Sequence, residues 1–234
     1  MLISFAVENW KSFGHRQSFS FVPGKESKKR NRLLNPKHGV TLSPIAAVFG
    51  PNASGKTNFI LAIKVMAELA QKRVELGVSL PYSPFKLDEK SASLPSYFGL
   101  EFLLDGQVYY YEISFHAKTI VMERLSVLTA SSEKVIFKRE GQQMAKASKK
   151  EILAQARLIM QVTPENQPFA FQAAQFNLHA ASHVYRWFAE HVLILGTQFT
   201  LTDHSVYLLD GSPHRETMGT TLQALGTGIT QLDT

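Results

Sequence analysis

Three features of the sequence predict an α/β fold built around a strand, a glycine-rich turn and a helix. The run Ile45–Phe49 (IAAVF) is apolar without a break, GPNASGKT follows it, and Asn58–Val74 contains neither Gly nor Pro. A short, wholly apolar run suits a strand buried on both faces of a parallel sheet. In the segment after the turn, Phe59, Ile60, Ile63, Met66, Ala67, Ala70 and Val74 recur at helical spacing, which predicts one long helix.

Upstream, LISFAV (2–7) and QSFSFV (17–22) read as two strands joined by a loop carrying Asn9 and Gly14. Downstream, SYFGLEFLLDGQVYYYEISFH (96–116) places Asp105-Gly106 between two β-prone runs, a strong hairpin signal. Val121–Leu128 and Lys134–Lys138 predict two more strands around a polar turn at Ser131–Glu133. Residues 146–195 read as helical with a break near Thr163–Pro168, and LLDGSPH (208–214) as a second hairpin. The domain reading is a 1–140 lobe with an antiparallel β portion, then a 141–234 helical portion.

Composition narrows the function classes. Hydrophobic residues make up 44% of the 234, which excludes a disordered chain. With no cysteine a disulfide scaffold is impossible, which fits a reducing compartment. No apolar run approaches the roughly 18 residues of a membrane span, and MLISFAVENW lacks the pattern of a secretory signal. The expectation is a cytoplasmic protein. The net charge of +6 lies entirely in residues 1–40, where KESKKRNR (Lys25–Arg32) forms a dense basic run. It suits either a solvated loop or a patch that meets phosphates; no aromatic residue interrupts it to stack on bases.

Gly50-Pro51-Asn52-Ala53-Ser54-Gly55-Lys56-Thr57 fits G-x-x-x-x-G-K-[ST] between a predicted strand and a predicted helix. Glycines let the main chain curl so that successive N–H groups point inward at a phosphate. The helix start aims its free N–H groups at the same anion. Lys56 would neutralise β- and γ-phosphate oxygens, and the Thr57 hydroxyl would ligate Mg²⁺. Hydrolysis needs a second acid at the end of a buried strand. Asp105 and Asp210 each follow an apolar run, but both continue into Gly, the chemistry of a turn. That acid is therefore expected to be missing. His179 and His183, four apart on a predicted helix, are close enough to share a metal with His191 as a third ligand, but without the Glu of H-E-x-x-H they read as incidental histidines on a helix face. Tyr109-Tyr110-Tyr111 alternates faces, which predicts packing and not a stacking platform.

Together, ISFAVENWKSF (3–13), the β-run at 17–22 and AAVFGPNASGKTNFILAI (46–63) resemble the N-terminal half of ABC-type ATPase heads. The branch is that of SMC, RecF and OLD proteins, and the likeness is greatest to stand-alone bacterial OLD-like ATPases of AAA type. The resemblance implies a P-loop core of the ABC/SMC head type, an antiparallel β subdomain and the start of a helical one. It implies ATP and Mg²⁺ as cofactors, with Asn58, Lys11, Ser12 and Phe13 joining residues 50–57 around the nucleotide. It further implies a homodimer closed around two ATP molecules, a nuclease or effector partner, and work in anti-phage defence. A RecF-like repair ATPase that binds DNA, or a non-hydrolysing interaction module, are the alternatives. No LSGGQ-like segment, no apolar run ending in Asp-Glu and no γ-phosphate-sensing Gln is found. These would belong to a further half of about 150–250 residues, and without them ATP would be bound but turned over poorly.

Overall fold

A computed structural model describes residues 1–24, 41–194, 220 and 223. Met1–Val192 form one compact unit and Leu193–Thr234 another. The first unit is a mixed α/β arrangement on one seven-stranded sheet, in which every pairing is antiparallel. Its strands are β1 (Leu2–Glu8), β2 (Gln17–Ser20), β3 (Ser96–Leu104), β4 (Gln107–Phe115), β5 (Ile120–Leu128), β6 (Glu133–Glu140) and β7 (Gln143–Ala147). Their spatial order is β2-β1-β3-β4-β5-β6-β7. The helices are α1 (Lys56–Gln71), α2 (Lys150–Gln161), α3 (Phe169–Gln175) and α4 (His183–His191).

This order is not the parallel arrangement of a P-loop core, and the strand expected at Ile45–Phe49 is absent from it. Residues 44–54 are exposed, with Ile45 at 78% and Phe49 at 90%. A strand exists only where a neighbour takes its main-chain N–H and C=O groups, and no described strand lies beside this run. Its apolarity marks a segment suited to burial without supplying a partner.

The other β expectations that fall within the described residues hold. The turn residues Asp105 and Gly106 adopt φ of +48° and +75°, the left-handed pair that a two-residue hairpin requires. On one face of the sheet Phe5, Leu100, Tyr111, Leu125 and Phe137 stand in register, and all are buried. Phe59 of α1 packs edge-on against Phe5, with ring centres 5.7 Å apart. Tyr109 and Tyr111 belong to this covered face, and Tyr110 points to the other, as alternation predicts. Strand β7 takes in residues 146 and 147, which read as helical from sequence.

Two charged residues sit on the covered face. Glu123 and Arg139 are paired neighbours on β5 and β6, and both side chains have no exposed surface. The Glu123 carboxylate accepts from the Phe169 and Ala170 amides (2.6 and 2.8 Å) and from the Tyr111 hydroxyl (3.0 Å), with Arg139 Nη1 3.6 Å away. Burial pushes the Glu123 carboxyl up, and Arg139, the two amides and Tyr111 oppose that push. Arg139 also donates to the carbonyls of Gly141 (2.7 Å) and Gln167 (2.6 Å). Gln167 reaches the far end of α1, accepting from the Val74 amide at 2.6 Å and donating to the Lys72 carbonyl at 3.3 Å. The helix stops at Gln71, short of the predicted Val74, where the Lys72 carbonyl and the Val74 amide turn to the Gln167 side chain. Among the described residues no helix is long and apolar enough to cross a membrane.

Removing one partner of a buried ion pair strands the other. Arg139→Met is expected to cost about 3–5 kcal/mol in urea denaturation. A second expectation concerns His183, whose ring stacks on Tyr109 at 4.6 Å. Burial, and then Arg186, hold its pKa below the ordinary 6.5. The unfolded chain therefore binds the proton more readily, so stability falls as the pH drops below about 6.5. In His183→Phe, which keeps the stack, that part of the pH dependence of the unfolding midpoint should vanish.

Candidate functional site

The turn between the exposed run and α1 carries the left-handed curl that the motif requires. Ala53 and Gly55 have φ of +64° and +95°. Gly55 caps α1 without any side-chain hydrogen bond, and the first turn contains no acid, so the amides at the helix start remain available to an anion. Gly55 is required by its φ, and at both glycines a side chain would crowd a serine hydroxyl. A Cβ on Gly50 would lie 2.8 Å from Ser54 Oγ, and one on Gly55 would lie 2.8 Å from Ser12 Oγ. Pro51, Asn52, Ala53 and Ser54 are all exposed along the rim.

Lys56 Nζ folds back over the loop and donates to the carbonyls of Gly50 and Pro51, both at 2.7 Å. Its charge is satisfied by main-chain oxygens inside the curl. Thr57, at the second position of α1, is exposed, and its hydroxyl makes no hydrogen bond. Asn58 Nδ2 donates to Ser12 Oγ at 3.0 Å, tying the helix start to the loop between β1 and β2.

Trp10, Lys11, Ser12 and Phe13 of that loop separate. Ser12 meets the helix start, and Phe13 lines a cavity of about 200 Å³ with Phe19, Phe49, Gly55, Lys56 and Phe59. Trp10, only 1% exposed, is core: its ring packs edge-on against Phe98, and Nε1 donates to the Pro81 carbonyl at 2.9 Å. Lys11 is exposed, with Nζ 5.0 Å from the centre of the Trp10 ring.

The other candidates part from this site. Asp105 occupies its hairpin turn and pairs with Arg186 at 2.6 Å. His179 lies in a 3₁₀ turn, whereas His183 and His191 bound α4, so the expected single helix carrying all three is not formed. No group of three His, Asp or Glu among the described residues could hold a metal. Asp210, the 208–214 hairpin and the Lys25–Arg32 run lie outside the described residues. Sequence reasoning missed Asn9, which is 2% exposed with φ of +47°, and the buried set Glu123, Arg139, Asn166 and Gln167. Glu123 and Arg139 did carry a signal, since period-2 alternation places each on the apolar side of its strand.

With the loop's geometry in view, one comparison bears on it. Residues 45–143 match the family model described as "AAA domain, putative AbiEii toxin, Type IV TA system". The match supports an AAA/ABC-type P-loop ATPase. It covers under half of the chain, from the exposed apolar run to the first residue of β7. No curated protein matches the sequence.

The strain at Gly55 sets the expectation here. Gly55→Ala forces a side chain into φ +95° and against Ser12, and should cost about 1–3 kcal/mol by urea denaturation. A cost near zero would mean that the curl relaxes freely.

Proposed function

We propose that this chain is the ATP-binding part of an AAA/ABC-type ATPase of the OLD/SMC kind. The curl at Gly50–Thr57, left-handed at Ala53 and Gly55 and opening an uncapped helix, carries this reading. The AAA match over the same residues supports it.

The residues present suit a magnesium nucleotide. Gly50 and Gly55 keep open the cradle that a Cβ would fill, and main-chain amides of residues 53–57 would take the phosphates. Thr57 supplies a free hydroxyl for Mg²⁺, which would spread the charge of the phosphate tail. Lys56 already has its ammonium inside the curl, held by two carbonyls; turning toward a bound anion exchanges neutral acceptors for charged ones, the stronger interaction. Ser12 and Phe13 close one side, through Asn58 and through the small aromatic cavity.

In this reading ATP drives two copies together and so gates a nuclease or other DNA-directed partner, in bacterial anti-phage defence. The resemblance of residues 3–63 to OLD-like heads supports it, as does the toxin–antitoxin description of the matching family. Asp105 is engaged by Arg186 in a turn, which does not suit it to the second acid of hydrolysis, and Asp210 lies outside the described residues. Binding is the activity assigned to this chain.

Titration calorimetry with ATP·Mg²⁺ tests the reading. Lys56→Ala should weaken binding at least about tenfold, and equal affinity would sink the site. Light scattering should show the mass doubling when ATP is added to wild type and not to Lys56→Ala. An unchanged monomer that still binds ATP would remove dimerisation while leaving the nucleotide site.

A further inference from the structure

The sheet face away from the helices carries a second, unrelated cavity. Glu8, Tyr97 and Ser114 stand abreast on β1, β3 and β4. The segment 83–95 folds over this end of the face, and Asn9 fastens it there. Its Nδ2 donates to the carbonyls of Ser91 (2.8 Å) and Leu94 (2.7 Å), while its Oδ1 accepts from the Phe85 amide at 3.0 Å. The space enclosed is about 390 Å³, within the range of small-ligand sites.

Two carboxylates, Glu8 and Asp88, line this space. Glu8 pairs through Oε2 with Arg16 Nε at 3.3 Å, leaving Oε1 without a partner. Asp88 accepts one hydrogen bond on each oxygen, from the Lys90 amide and from Ser91 Oγ, so each oxygen keeps a lone pair. Ser114 lines the cavity, is only 7% exposed, and its hydroxyl makes no hydrogen bond. The hydroxyl opens onto the cavity and can accept from a ligand donor. No Lys or Arg lines the space; the Phe85 and Tyr97 rings form its apolar walls, and His15 sits at its edge. Arg16 displays the chemistry these walls favour, for its guanidinium lies 3.8 Å from the centre of the Tyr97 ring while pairing with Glu8.

We propose that this cavity binds a primary ammonium or guanidinium group on a short apolar stem. The Glu8 and Asp88 carboxylates and the Ser114 hydroxyl take its protons, and Phe85 and Tyr97 hold its stem. The cation comes either free, as a small molecule, or as the Lys or Arg side chain of a partner protein. It needs no nucleotide at Gly50–Thr57, so the proposal stands apart from the ATP reading.

The test titrates the full chain, without nucleotide, with n-butylguanidine, n-butylamine, the neutral isostere n-butylurea and a blocked Gly-Arg-Gly peptide, followed by NMR. The cations should bind saturably below about 10 mM and n-butylurea should not. Asp88→Asn, whose side-chain oxygen still caps Lys90, and Ser114→Val should each weaken binding at least about tenfold at an unchanged unfolding temperature. Should Ser114→Val fail to fold, Glu8→Gln gives the same reading. Tighter binding of the peptide assigns the site to a partner's side chain; tighter binding of the free cation assigns it to a small molecule. Absence of saturable binding by every cation, equal binding of n-butylurea, or folded variants that bind like wild type would overturn the proposal.

Discussion

A carboxylate with no access to water must have its charge answered from within the protein, and at Glu123 that requirement organises half of the molecule. Two of its acceptor positions go to the amides of Phe169 and Ala170, which fixes where α3 begins. Arg139 balances the charge and, with donors to spare, seizes the carbonyl of Gln167. The loop thus pinned presents Asn166 and Gln167 to the end of α1, where Asn166 Nδ2 reaches the Glu75 and Val78 carbonyls at 2.9 and 3.0 Å. A sixteen-residue helix is stiff, so fixing its far end also fixes its start, and the start is the phosphate-type loop. Exchanging the pair for apolar residues could preserve stability, as it does for many buried ion pairs. It would discard the side chain that positions the loop on α1.

What the sequence made legible was local. Asp105-Gly106 announces its hairpin because only residues tolerant of positive φ fit there, and α1 announces itself by an apolar stripe unbroken by Gly or Pro. The break at Thr163–Pro168 was visible as polar residues ending in proline. Its purpose was not: Gln167 bonds residues more than ninety positions away, and no spacing within a window reports such a contact. Strand β7 escaped because QMAKA is polar and short, its one buried side chain being Met144. At Ile45–Phe49 the pattern was read correctly and the inference from it failed, since apolarity states a demand for burial and leaves the partner unspecified. The motif residues 50–57 were legible to the residue, whereas the position of Ser12 against Gly55 and Asn58 depends on a loop brought in across the sheet.

Lys56 shows why such a loop is stable without an anion. A curl that turns amides toward one point must turn some carbonyls elsewhere, and Gly50 and Pro51 direct theirs at the ammonium. The lysine thus ties the start of α1 back to the first two residues of its own loop. In the proposed reading an arriving anion would replace that bridge with stronger charge-assisted contacts, an exchange that needs only the lysine to turn.

The segment 9–16 is a wall common to two unlike spaces. Ser12 and Phe13 face the loop of Gly50–Thr57, the one proposed to take an anion. Asn9, Gly14 and His15 face the cavity lined by Glu8, Asp88 and Ser114, the one proposed to take a cation. Gly14 is needed at this wall, since a Cβ there would stand 3.0 Å from the Phe85 ring. Asn9 and Lys11 both hold positive φ, a conformation that tertiary contacts must maintain at non-glycine positions. Asn9 is held by its clamp on Ser91, Leu94 and Phe85, and Lys11 by its amide's bond to the Ser83 carbonyl at 2.6 Å. A shift of this wall toward either space must therefore break named hydrogen bonds on the other side, which is the physical condition for two sites of opposite charge to influence one another.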